Sequence, residues 1–183
     1  MKNHLLDILR KNGAICRSTN LEGTGYKNFV FILPAYLEAA VKIVDAAGYF
    51  LEDITCCQVK EGLELIYHFD HYHSPGRICL RTLIDEDKAE ISSIASIYPG
   101  AQWHERECTD FFGLTFQGNP NPVPLLLSPQ NPGPVLKKKA GKLQGLEEFL
   151  PESLTIKHPG HNSGIEDILA GWAEDIGKDR GQK

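Results

Sequence analysis

Residues Glu105, Arg106, Glu107 and Asp110 form the densest set of chemically capable side chains in this sequence. Three carboxylates within six residues could act as a general acid/base set, because paired carboxylates do that work when burial raises the pKa of one of them. Arg106 argues the other way, since a guanidinium beside carboxylates keeps them ionised. On a helix Arg106 and Asp110 stand at i,i+4, and Glu107 and Asp110 at i,i+3. Trp103, Glu107 and Phe111 line a neighbouring stripe, so charge sits beside aromatic surface. The better reading is structural: charged groups that satisfy one another and backbone donors where a helix meets a sheet or a partner.

A second set is His68, Asp70, His71 and His73. On a strand His71 and His73 share a face and could bind a metal. No helical HxxxH or ExxH supplies a further ligand, and these residues also suit a solvated hairpin mouth. This leaves open a small metal-dependent enzyme. Glycine-rich nucleotide loops and the Gly-x-Ser-x-Gly elbow of hydrolases are absent from the sequence.

The elements that must position these residues follow from periodicity. Residues 4–12 and 35–47 read as amphipathic helices closed by Gly13 and Gly48. Residues 20–26 read as a loop. Residues 29–33, 49–59, 63–69 and 78–84 read as strands, the last two forming a hairpin with a long connection. Asp87 and Glu90 offer a capping box for a helix running to Tyr98, with Ile91, Ile94, Ala95 and Tyr98 on its apolar face. After Pro99 and Gly100 a final helix carries the carboxylates. Gly113 sits where it should stop, in the left-handed conformation that glycine accepts. This order predicts an α+β fold, with helices packed on a mixed or antiparallel sheet.

Composition then changes. Six of the eleven prolines fall between positions 120 and 134, so this stretch cannot donate a regular set of backbone hydrogen bonds and is expected to be extended. Its apolar run from Val123 to Leu127 should lie on its own domain or on a partner. The expected organisation is a domain over residues 1–118, followed by an extended Pro-rich segment and tail over 119–183. That tail includes Leu143–Leu150 and an amphipathic stretch, Ile165–Ile176.

The net charge of −5 lies wholly in the first 128 residues, which argues against nucleic acid as the main partner. The five cysteines lack metal-ligand spacing and read as reduced, mostly buried thiols. Lys137–Lys139 reads as a solvated face, or as a contact to acidic groups on a partner or lipid. No apolar run approaches eighteen residues, and the N-terminus lacks a secretory apolar core, so the expectation is a cytoplasmic protein.

The stretch from Trp103 to Gly113, continuing to Pro120, resembles the signature of the thirty-kilodalton subunit family of respiratory complex I, the NADH-quinone oxidoreductase. That signature is Glu-Arg-Glu, two residues, an acid, two apolar or aromatic residues and a glycine, matched here by Glu105, Arg106, Glu107, Asp110, Phe111, Phe112 and Gly113. The likeness extends over roughly residues 1–128, and Pro134–Lys138 resembles a later proline, leucine and basic pair of the family. The resemblance implies a cofactor-free, non-catalytic subunit of the hydrophilic arm, peripheral on the inner face of the cell membrane and reaching it through partners. Those partners would be a large catalytic subunit, beside its quinone or nickel–iron site, and iron–sulfur subunits. It implies a docking surface formed by Trp103, the motif residues 105–113, Leu125 and Leu126. The same module occurs in energy-converting nickel–iron hydrogenases and formate hydrogenlyases. Quinone-linked members usually carry a histidine and an arginine pair where this sequence has Asn119, Val123 and Pro124, so the resemblance leans to the hydrogenase branch.

Overall fold

The computed structural model describes residues 2–73, 76–128, 130 and 133–150. By compactness the chain divides into Met1–Gln144 and Gly145–Lys183. The first unit contains helix α1 (Lys2–Lys11), strand β1 (Ile15–Ser18), the one-turn α2 (Leu21–Thr24), β2 (Asn28–Phe31), a 3-10 turn (Pro34–Tyr36) and α3 (Leu37–Ala46). Next come β3 (Phe50–Val59), β4 (Gly62–Asp70), β5 (Ile78–Ile84), β6 (Glu90–Ser92), α4 (Ala101–Phe112) and β7 (Thr115–Gln117). In the second unit the described residues form a 3-10 turn, Leu146–Phe149. The expected helix at 165–176 lies outside the described residues.

Five strands make one sheet in the order β1-β2-β5-β4-β3. The β2–β5 pair is parallel and the other pairs are antiparallel, so the sheet is mixed, as the α+β reading expected. Strand alternation sorts the faces. Leu63, Leu65, Tyr67 and Phe69 of β4 join the main apolar core with Leu37, Ala40, Val41 and Val44 of α3. The opposite face of β4 carries Glu64, Ile66, His68 and Asp70. There Glu64 and Arg81 form a buried bidentate pair at 2.7 and 2.9 Å, and the guanidinium lies 5.2 Å from the Phe29 ring centroid.

The expected helix over 87–98 does not form. Its would-be cap is a turn in which Asp87 N–H is held by the Asp85 carboxylate at 3.0 Å and Ala89 N–H by the Asp85 carbonyl. Ala89 then takes a left-handed backbone, φ 42°, which ends helical continuation. Glu90–Ser92 instead pairs in parallel with Thr115–Gln117 as a separate two-stranded sheet. Ile91 and Ile94 are buried as expected, from a strand and a turn. A pairing partner some twenty-five residues away, which no local pattern announces, overrides the capping box. Strand β1 and the short α2 are likewise additions to the sequence reading.

Candidate functional site

Helix α4 runs from Ala101 to Phe112, and Gly113 closes it with φ 72°, its N–H donating to the Thr109 carbonyl at 2.9 Å. One face, with Ala101 and Cys108, is buried and packs on β3. The same helix turns Glu105, Arg106 and Asp110 inward as well, at 0%, 7% and 5% exposed. Buried charges must be satisfied. Each of the three finds partners in the chain that follows the helix, taken in order.

Glu105 is fully buried. Its Oε2 accepts from Ser93 Oγ at 2.7 Å and from Asn119 Nδ2 at 2.7 Å, and its Oε1 accepts from the Ile94 amide at 2.8 Å. Burial pushes the Glu105 carboxyl above its ordinary pKa, while those three donors hold it back. Arg106 donates from Nε to the Val123 carbonyl at 2.7 Å and from Nη2 to the Pro124 carbonyl at 3.0 Å. Its guanidinium lies 5.0 Å from the Trp103 ring centroid. Asp110 Oδ2 accepts the consecutive amides of Leu125, Leu126 and Leu127 at 3.0, 2.7 and 3.0 Å. Burial raises the Asp110 carboxyl, but the three amides and Arg106 outweigh it and hold the pKa below its ordinary value.

The expectation that these charges satisfy one another is half right. Arg106 and Asp110 form no ion pair with each other; both grip main chain. Prolines at 120, 122 and 124 remove alternate donors, and the consecutive amides of Leu125, Leu126 and Leu127 that follow converge on one carboxylate oxygen. The chain then returns over the end of the helix, with Leu136 N–H donating to the Phe111 carbonyl at 3.1 Å. Gly133 is required there, because a Cβ at this position would lie 2.0 Å from the Asp110 carbonyl oxygen. Phe111 and Phe112 are half-buried, Phe112 against the core. Leu125 is half-buried, and Glu107 is half-buried on the outer side of the helix. Trp103 is 54% exposed, Val123 53% and Leu126 60%, which leaves an apolar patch along the clamped segment. Ser93, Ile94 and Asn119 were not anticipated as part of this site. Two buried acids and one buried arginine thus direct their hydrogen bonds to the turn at 93–94 and to the segment from Asn119 to Leu127.

The histidines do not converge. His68 is joined through Nδ1 to Tyr26 Oη at 2.6 Å and through Nε2 to Thr55 Oγ1 at 3.1 Å. Thr55 donates to Asp53 at 3.2 Å, and Asp53 also pairs with His104 Nδ1 at 3.0 Å. With Thr55 donating to Asp53, Thr55 Oγ1 is left to accept from His68 Nε2–H, and burial favours the neutral ring, in which Nδ1 accepts from the Tyr26 hydroxyl. Asp70, His71 and His73 order the loop, with Asp70 accepting from the His71 amide at 2.8 Å and His71 Nδ1 from the His73 amide at 3.1 Å. Among the described residues no group of three or more His, Cys, Asp or Glu side chains could hold a metal ion, so the metal-enzyme reading has no geometric support at 68–73.

Burial lowers the His68 pKa, so the unfolded chain binds more protons once the pH falls below about 6.5. Stability is therefore expected to fall as the pH drops from about 7 through the region below about 6.5. His68→Gln should flatten that part of a Tm-against-pH curve. An unchanged slope would show that His68 is not held neutral.

Residues 30–143 match the family model described as the 30 Kd subunit of respiratory-chain NADH dehydrogenase. Among curated relatives, an NADH-quinone oxidoreductase subunit of Roseiflexus sp. (strain RS-1) is 40% identical over 57 residues, 31% of this chain and 33% of that protein. A subunit of the F(420)H(2) dehydrogenase of Methanosarcina mazei is 35% identical over 68 residues, 37% of this chain and 43% of that protein. The matched part thus spans well under half the length of these relatives. Of solved structures, the trypsin-resistant fragment (1-134) of Nqo5 superposes with a TM-score of 0.57 at 20% identity, covering 66% of this chain and 98% of the fragment. A chain of the membrane-bound sulfane sulfur reductase, an archaeal respiratory membrane complex, gives 0.56 at 23% identity, over 64% and 71%. At such identities these likenesses speak for the fold alone.

Proposed function

We propose that this chain, which belongs to the 30 Kd subunit family of respiratory-chain NADH dehydrogenase, is a non-catalytic hydrophilic-arm subunit of a complex I-like oxidoreductase. It docks a large catalytic subunit and iron–sulfur subunits, whose clusters and quinone or nickel–iron site lie in those partners. The observation that carries this reading is the clamp on α4. Three buried charges are committed to holding residues 119–127 extended, with apolar Trp103, Val123 and Leu126 turned outward, an arrangement suited to a joint.

The oxidoreductase is an energy-converting hydrogenase or formate hydrogenlyase in type. Asn119 donates inward to Glu105, and Val123 and Pro124 give their carbonyls to Arg106, so none of the three presents a basic group outward. The NADH:quinone type is the second reading, favoured by the names of relatives such as the Roseiflexus protein. Among the described residues no helix is long and apolar enough to cross a membrane; in this proposal the chain reaches the inner face of the cell membrane through its partners.

Purification of the tagged chain from native membranes tests the assignment. Large-subunit and iron–sulfur proteins should co-purify, with stoichiometric nickel for the hydrogenase type and without it for the quinone type. Recovery of the chain alone would refute both. In the same assembly Arg106→Ala should lower recovery of partners while leaving the spectrum of each remaining redox centre unchanged; selective loss of one cluster signal would instead assign Arg106 a site role.

A further inference from the structure

The two-stranded sheet formed by β6 and β7 is open on the β6 side. In its parallel register Thr115 N–H donates to the Ala89 carbonyl and Ser93 N–H to the Gln117 carbonyl. The ladder thus uses the backbone groups of Ala89, Ile91 and Ser93. The amides and carbonyls of Glu90 and Ser92 point the other way, and among the described residues they have no hydrogen-bond partner. Both residues are exposed. A two-stranded sheet is marginal by itself, and such an edge is a template for a further strand.

Beside that edge lies a cleft of about 540 Å³, lined by Pro34 and Ala35 of the 3-10 turn and by Lys88, Glu90 and Ser92 of the edge itself. Lys88 is exposed and has no acidic partner among the described residues. The cleft therefore offers two backbone donors and two acceptors in strand register beside Pro34 and Ala35, with one basic and one acidic side chain, Lys88 and Glu90, along the edge.

We infer that the outer edge of β6 is a strand-addition site. It takes one extended segment of a partner protein, whose backbone pairs with Glu90 and Ser92, with an apolar side chain against Pro34 and Ala35, an acidic one beside Lys88 and a basic one beside Glu90. The inference rests on the assembly reading above, which supplies the partner. It concerns a different face from the α4 clamp.

The test uses the full chain, free and within its native assembly. Amide hydrogen exchange at Glu90 and Ser92 should be fast in the free chain and slowed at least tenfold in the assembly. Ser92→Pro removes an outward N–H that the β6–β7 ladder does not use, and proline is tolerated at such an edge position. This variant should keep the wild-type circular dichroism and bind its partners about tenfold or more weakly, the equivalent of one or two hydrogen bonds. Lys88→Glu should weaken binding in the same direction without touching the backbone. Partners that co-purify normally while the Glu90 and Ser92 amides still exchange fast would overturn this inference and leave the assembly reading intact. A chain that captures no oxidoreductase component would overturn both.

Discussion

Asp110→Ala frees residues 119–127 from α4. The substitution deletes the acceptor of three consecutive amides, at 3.0, 2.7 and 3.0 Å, near the C-terminal end of a helix whose dipole disfavours a carboxylate there. Bonds to a charged acceptor contribute about 1.5–3 kcal/mol each when buried, and partial solvation of this segment discounts that to about 2–4 kcal/mol in total. Exchange at Leu125–Leu127 should accelerate by about 30- to 1000-fold, while the amides of β4 and β5 change little, because the opening is local. Asp110→Asn keeps an oxygen without the charge and should give an intermediate rate. Acid should mimic the alanine variant. The Asp110 pKa is held down in the folded chain, so its contribution is complete above the ordinary carboxylate range near 3.8 and is lost as the pH falls through its lower folded value. Persistence of protection at Leu125–Leu127 in Asp110→Ala would show that the segment holds its course without the carboxylate.

Glu105→Ala should be the most destabilising single change in the motif. It strands the Ser93 hydroxyl, the Ile94 amide and the Asn119 side-chain amide around a site that is fully buried. With about 1–3 kcal/mol for each donor left unsatisfied, and some relief from rotation of the hydroxyl, the loss should be about 3–5 kcal/mol of global stability. Urea unfolding would register it as a lower midpoint at unchanged slope. Glu105→Gln should recover part of this, because its oxygen still accepts while its amide faces other donors. The pH dependence has the opposite sign from that of Asp110. A carboxyl whose folded pKa is raised gives up stability as the pH rises through that value, so Glu105 contributes no loss on mild acidification. A Glu105→Ala protein as stable as wild type would mean that the three donors find water, and that the buried acid is not what ties the turn at 93–94 to the helix.

The sequence reveals these elements unevenly. Helix α4 and its stop at Gly113 were legible because aromatic spacing and a terminal glycine are local signals, and the core faces of β4 and α3 followed from periods of two and 3.6. What Glu105 and Asp110 bind was not legible. Their partners are a turn at Ser93–Ile94 and a segment beyond position 118, and backbone donors carry no residue-type signature. The proline cluster gave an indirect sign, since it removes every second amide from 120 to 124 and leaves a run of three or more consecutive amides only at the leucine triplet, which then needs an acceptor. The misread helix at 87–98 has the same origin. Its capping box and apolar spacing were genuine local signals, but they lost to pairing with Thr115–Gln117 and to the Glu105 carboxylate taking the Ile94 amide. His68 was noticed for its neighbours at 71 and 73, whereas its hydrogen-bond partners, Tyr26 and Thr55, come from elsewhere in the chain.

The central claim is that the charged face of α4 sets residues 119–127 as the surface that receives partner subunits. Its most direct test is quantitative co-purification from native membranes with tagged wild-type and Asp110→Ala chains, compared at equal amounts of folded protein. The clamp account predicts that large-subunit and iron–sulfur proteins follow the wild-type chain. It also predicts that their recovery drops at least tenfold with Asp110→Ala, since a freed segment must lose its conformational entropy again on binding. Equal recovery with both chains, once exchange has shown the segment released in the variant, would contradict it.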